Sequence, residues 1–135
     1  MEDFVTFEIA KKLKEKGFKE ECLCHYITDT LVYNLESPIA NNQMWFCHNK
    51  YDNIWHRDNY DAPTISQVFK WLEDKKKIFL TVDIEPKGFF FIINYDILTN
   101  YAGEYEFSIY NSTTTYPSPT KSALAGIEYV LYNLI

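Results

Sequence analysis

Every cysteine and histidine of the 135-residue chain falls between residues 22 and 56. Cys22, Cys24 and His25 stand together in CLCHY, and Cys47, His48 and His56 follow in WFCHNK and IWHRD. These are the residue types of a zinc site or of a thiol nucleophile with its base. Structural zinc sites usually separate their first two ligands by two to four residues, so that a tight knuckle aims both inward. CLC leaves one residue between its thiols. Read as a strand, CLCHY sends Cys22 and Cys24 to one face and His25 to the other. Cys47 and His48 are adjacent and diverge in the same way. No metal or other cofactor is therefore expected, and the cysteines read as small buried hydrophobes.

A thiol catalyst needs its histidine nearby in space, which adjacency in sequence does not provide. Cys24, His25, Cys47, His48 and His56 form a ligand or catalytic cluster only if the fold makes them converge. His56-Arg57-Asp58 matches the kinase catalytic-loop tripeptide, but the accompanying asparagine, glycine-rich loop and strand lysine are missing. The four glycines, Gly17, Gly88, Gly103 and Gly126, make neither a P-loop nor a dinucleotide fingerprint. Asp83 and Glu85 show no pairing that marks an acid/base couple. What remains is aromatic surface. Trp45, Tyr51, Trp55, Tyr60 and Trp71 gather around the middle of the chain, and such rings anchor interfaces as readily as they fill cores.

The elements that would position these groups are legible in part. Residues 3–16 carry Val5, Ile9 and Leu13 on one helical face, with Asp3 as the expected cap and Gly17 as the stop. Residues 21–27 and 30–35 read as two short strands joined at Thr28-Asp29. Residues 36–61 are turn-rich but hold MWFC and IW, which fits short edge strands or an ordered loop. In APTISQVFKWLEDKKK, Thr64 and Gln67 make a capping box, and Ile65, Val68, Phe69 and Leu72 follow the helical period.

IFLTVDI then places Ile78, Leu80, Val82 and Ile84 on one face of a strand. Glu85-Pro86-Lys87-Gly88 is a hairpin-type turn. GFFFIINY is apolar on both faces and reads as a central strand, and YEFSIY alternates through Tyr105, Phe107 and Ile109. Ser118 with Pro119 starts a last helix whose apolar stripe runs from Ala123 and Leu124 through Ile127, Val130 and Leu131 to Leu134. The expected fold is a single α+β domain over 1–135, in the order α-ββ-α-βββ-α. Its antiparallel sheet combines a three-stranded meander with an N-terminal hairpin, and three helices pack on it.

Composition narrows the function classes. The net charge is −6 and Arg57 is the only arginine, so binding to a nucleic-acid backbone is disfavoured. The N-terminus lacks a signal-peptide pattern, and no apolar run reaches the roughly 18 residues of a membrane span. With an odd number of cysteines, reduced thiols in the cytoplasm are the expectation. Aromatic residues make up 18% of the chain, with Phe 10, Tyr 11 and Trp 3. That load suits strands packed against helices.

Two blocks, APTISQVFKWLEDKKKIFLTV (62–82) and KSALAGIEYVLYNLI (121–135), resemble short uncharacterised proteins carried by phages and mobile elements of gut bacteria. Those proteins pair a PT-x-x-Q-V-x-x-W-L helix with a strand and end in an alanine-rich helix. The resemblance implies a phage or mobile-element origin and assigns no functional residues. The leading expectation is a non-enzymatic protein-interaction or self-associating module. The alternative is a small enzyme or ligand-binding domain with its site near Cys24, His25, Cys47, His48 and His56.

Overall fold

A computed structural model describes residues 3–27, 29–33, 59–98 and 105–135; at 33, 59, 96–98 and 105–107 the backbone alone is described. The fold is α+β, with two antiparallel sheets of three strands each and three helices among the described residues. The chain divides into two compact units, one ending at Thr64 and the other Ile65–Ile135. No helix among the described residues is long and apolar enough to cross a membrane.

The first unit begins with an extended segment. Phe4 bridges Thr64, and the Val5 N–H donates to Pro63 O at 3.0 Å. Because residues 3–5 are committed to this pairing, the helix starts later than Asp3. Thr6 is the cap: its backbone is extended, and its hydroxyl accepts from Ile9 N at 3.3 Å. Helix α1 then runs Phe7–Glu15 and buries Ile9, Ala10 and Leu13. Gly17, at φ +93°, supplies the left-handed stop.

Strand β1 (Cys24–Ile27) pairs with β2 (Thr30–Tyr33) as the expected hairpin, and on its other side with β3 (Asn59–Ala62). The order is β2-β1-β3, which makes β1 central. Strand β3 falls at the end of the stretch read as irregular. NYDA carries no β-branched residue, so its strand character comes from its partner CHYI and not from propensity. Helix α1 lies against β3. The core of this unit joins Val5, Leu13, Phe18, Cys24 and Ala62. The Tyr26 hydroxyl donates to Val5 O at 2.7 Å, and Phe7 meets the rings of Tyr26 and Tyr60 edge-on, both at 5.6 Å.

The second unit opens with helix α2 (Ile65–Trp71), directly after Thr64. It widens into a π-helical turn over Leu72–Lys76 and ends at Lys77, whose φ is +56°. Strands β4 (Ile78–Glu85), β5 (Gly88–Leu98) and β6 (Tyr105–Asn111) form a meander in that order. The β4–β5 turn is Pro86-Lys87, flanked by the Glu85–Gly88 pair. Gly88 has φ +145°, and a Cβ there would lie 2.8 Å from Tyr116 O. Glycine is required at this position.

Helix α3 (Pro119–Asn133) starts at Ser118, whose hydroxyl accepts from Lys121 N at 3.1 Å. It lies across β4 and β5. Gly126 permits this close approach, since a Cβ there would meet Leu80 Cδ1 at 2.8 Å and Phe91 Cγ at 3.1 Å. The core consists of Ile65, Val68, Leu72, Leu80, Phe91, Ile93, Ile127 and Leu131, among others. Burial on β4 fades toward the hairpin: Ile78 and Leu80 are buried, whereas Ile84 is 64% exposed.

One face assignment changes. Ile109 is 67% exposed, and its neighbour Tyr110 stands opposite the fully buried Ile93. Directly opposite residues share a face. The register with β5 therefore turns Tyr110, and not Ile109, toward the helix.

Candidate functional site

The soft-ligand residues within the described chain are Cys22, Cys24 and His25. Cys24 is fully buried on β1, Cys22 is buried just before it, and His25 is partly exposed on the opposite face. His25 pairs in register with Val32 and Asp61. Neither thiol is in a disulfide, and Cys22 Sγ donates to Glu20 O at 3.4 Å. Burial, followed by the charges of Asp61, Cys24, Glu20 and Glu21, pushes the Cys22 thiol far above its ordinary value. Nucleophilic and metal-binding cysteines have the reverse shift. Among the described residues no group of three His, Cys, Asp or Glu side chains is gathered to hold a metal ion. Cys47, His48 and His56 lie outside the described residues.

Of the aromatic residues singled out as a surface, Trp45, Tyr51 and Trp55 also lie outside the described residues. Trp71 is a core residue, only 5% exposed, with Lys76 Nζ 5.5 Å from its ring centroid. It ends α2 on the face that already buries Ile65 and Val68, so its indole completes the apolar stripe. Tyr60 is partly exposed on β3, edge-on to Phe7, with Lys14 Nζ 5.2 Å from its ring. Of the described members of this set, Trp71 is thus a core residue and Tyr60 keeps part of its ring exposed.

A different concentration of aromatic side chains makes the more definite site, and it lies wholly within the second unit. Tyr110 comes from β6, Tyr116 from the turn after it, and Tyr129 and Tyr132 from α3. Together with Phe91 of β5 they line an open cleft of about 330 Å³. Tyr110 and Tyr129 stack with centroids 4.0 Å apart and planes inclined by 12°. Phe91 lies beneath, at 6.0 Å from Tyr110, 6.2 Å from Tyr116 and 6.3 Å from Tyr129.

The local sequence explains how these rings are held. Residues 129 and 132 are three apart on a helix and so share a face. The turn that delivers Tyr116 is tied back to β5: Phe89 N donates to Tyr116 O at 2.9 Å, and Tyr116 N donates to Phe89 O at 2.7 Å. Ser112 closes the same corner. Its hydroxyl accepts from Phe91 N and donates to Thr114 O, both at 3.1 Å.

Apart from Ala125, the remaining described lining is polar. Ser112, Thr113, Thr114 and Asn133 supply hydroxyl and amide groups, and Glu128 is the one carboxylic residue among the described lining residues. Partial burial and the neighbouring phenols Tyr110 and Tyr95 raise the Tyr129 phenol above its ordinary value, so it stays neutral. The sequence held a trace of this site in Tyr129 and Tyr132, on the flank of the alanine-rich stripe. Tyr110 was hidden by the alternation through Ile109, and Tyr116 by its place in a turn. No family model, no curated protein and no solved structure matches the chain.

Proposed function

We propose that this protein is a non-enzymatic interaction module of the cytoplasm that docks another protein in the cleft between β6 and α3. The observation that carries this reading is the gathering of Phe91, Tyr110, Tyr116, Tyr129 and Tyr132 around one open depression. Tyrosine anchors interfaces because it offers a large apolar face with a hydrogen-bonding tip at little entropic cost. Tyr132 is 58% exposed at the cleft, which leaves its ring accessible to a partner. The described lining residues include no histidine, cysteine or lysine to form a nucleophile–base pair, which favours binding over catalysis. Buried thiols outside any disulfide at Cys22 and Cys24 suit a reducing compartment. A second reading, a small-ligand domain, draws on the cleft volume, which reaches the lower end of the roughly 300–1,000 Å³ of such sites.

The test is site-specific photo-crosslinking in cells that make the protein. A photoreactive residue replaces Tyr132 in one variant and the exposed Lys75 of the π-helical turn in another. A discrete protein adduct is expected from position 132 only, lost when Tyr129→Ala is added. The proposal falls if position 75 gives the same adducts, or if Tyr129→Ala leaves those from 132 unchanged.

A further inference from the structure

The chemistry of the cleft specifies what part of a partner enters it. This inference rests on the docking reading above and deepens it. Aromatic faces carry negative electrostatic potential, and a cation held over them is attracted to the ring quadrupole. Here the stacked Tyr110–Tyr129 pair, together with Tyr116 and Tyr132, supplies several such faces in one depression. Among the described lining residues Glu128 is the only acidic one, and there is neither lysine nor arginine. Asn133 spends one amide N–H on Tyr129 O at 3.1 Å and keeps its Oδ1 acceptor and its second N–H for a ligand. With its phenol held neutral, Tyr129 does not alter this balance.

We infer that the cleft receives an arginine side chain of the partner protein, its guanidinium laid on the tyrosine rings and forked toward the Glu128 carboxylate. Arginine fits better than lysine for three reasons. Its planar cation stacks on a ring face, and a carboxylate can accept two of its N–H groups side by side. It is also more weakly hydrated than an ammonium, so an open site desolvates it at lower cost. The net charge of −6 draws such a basic segment toward the chain.

The test uses the full chain and three short peptides, Ac-Gly-Arg-Gly-NH2 and its citrulline and lysine counterparts. Citrulline keeps the shape of arginine and removes its charge. Binding is followed by amide NMR shifts at low salt. The arginine peptide should bind with a dissociation constant on the order of millimolar, with shifts confined to residues 110–116 and 128–133. Citrulline should bind about tenfold more weakly, and lysine between the two. Glu128→Gln should weaken arginine binding severalfold and leave citrulline unchanged. Tyr132→Ala, at an exposed position, should weaken both.

Equal binding of arginine and citrulline overturns the inference, as do shifts spread over the acidic surface or an unaltered Glu128→Gln variant. No arginine binding, with the position-132 crosslink still lost in Tyr129→Ala, removes the arginine inference and leaves the docking reading standing. Loss of the crosslink result itself removes the docking reading.

Discussion

Substituting Gly126 by alanine tests the joint between helix and sheet on which the cleft is built. Alanine should stabilise an isolated helix here by about 1 kcal/mol relative to glycine. The added Cβ, however, would lie 2.8 and 3.2 Å from the two Leu80 methyls and 3.1 Å from Phe91 Cγ. All three distances are inside the roughly 3.5 Å at which carbon–carbon contacts become favourable. Leu80 and Phe91 are each only 3% exposed, so neither has solvent to move into. The leucine methyls can swing by a few tenths of an ångström, but Phe91 Cγ is the root of a ring and moves only with the whole ring. Overpacking of this kind costs about 1–3 kcal/mol. The net expectation is a loss of about 1 kcal/mol, with shifted resonances for Tyr110, Tyr116 and Tyr129, which rest on Phe91.

The assay is urea unfolding followed at α3 and β5 amides, in the wild-type background and with Leu80→Ala. Removing the leucine methyls takes away two of the three close contacts and leaves that with Phe91 Cγ, so it should reduce the cost of Gly126→Ala, a coupling of about 1 kcal/mol between contacting sites. A simple gain of about 1 kcal/mol in the wild-type background would refute the reasoning. It would mean that α3 does not approach the sheet as closely as Gly126 allows.

Other perturbations have equally definite outcomes. Gly88→Ala should cost more than about 2 kcal/mol, because a left-handed φ and contact with Tyr116 O act together, whereas Gly17→Ala, which meets open space, should cost about 1 kcal/mol; chemical denaturation of both variants checks the ranking. Tyr26→Phe should cost about 1–3 kcal/mol, since it strips a buried donor from the carbonyl of fully buried Val5, and a loss below 0.5 kcal/mol by denaturation would contradict the bond. Ser122→Ala should raise stability by about 0.5–1 kcal/mol, because the hydroxyl is fully buried with no hydrogen-bond partner among the described residues and alanine is the better helix former; a melting curve decides it. For Cys22 the folded protein holds the thiol proton more tightly than the unfolded chain, whose value is 9.0. Its stabilising contribution is full below pH 9.0 and falls as pH rises past it, by about 1.4 kcal/mol per pH unit; Cys22→Ala should flatten this alkaline loss, measured by urea unfolding between pH 8 and about 10.

Where local chemistry decides the structure, the sequence was readable. Ser118 and Pro119 start α3 as expected, and Pro86 and Gly88 make the β4–β5 turn. The alternation of CLCHY put Cys22 and Cys24 in the core and turned His25 outward. Where a distant partner decides, it was not. Asp3 lost the cap to Thr6 because Phe4 and Val5 pair with Thr64 and Pro63, some sixty residues away. NYDA became a strand by joining β1, although its own residues favour turns. The cleft failed to appear in the sequence for the same reason. Its tyrosines come from a strand, a turn and a helix, and only the β5–β6 register brings Tyr110 onto Tyr129.

The docking claim is tested most directly by hydrogen–deuterium exchange of the full chain with and without the partner captured from position 132. Occupation of the cleft should slow exchange in residues 110–116 and 128–133 and leave the β4 edge unchanged. Protection of β4 or of α1, with those two segments exchanging as in the free protein, would place the interface elsewhere and contradict the account.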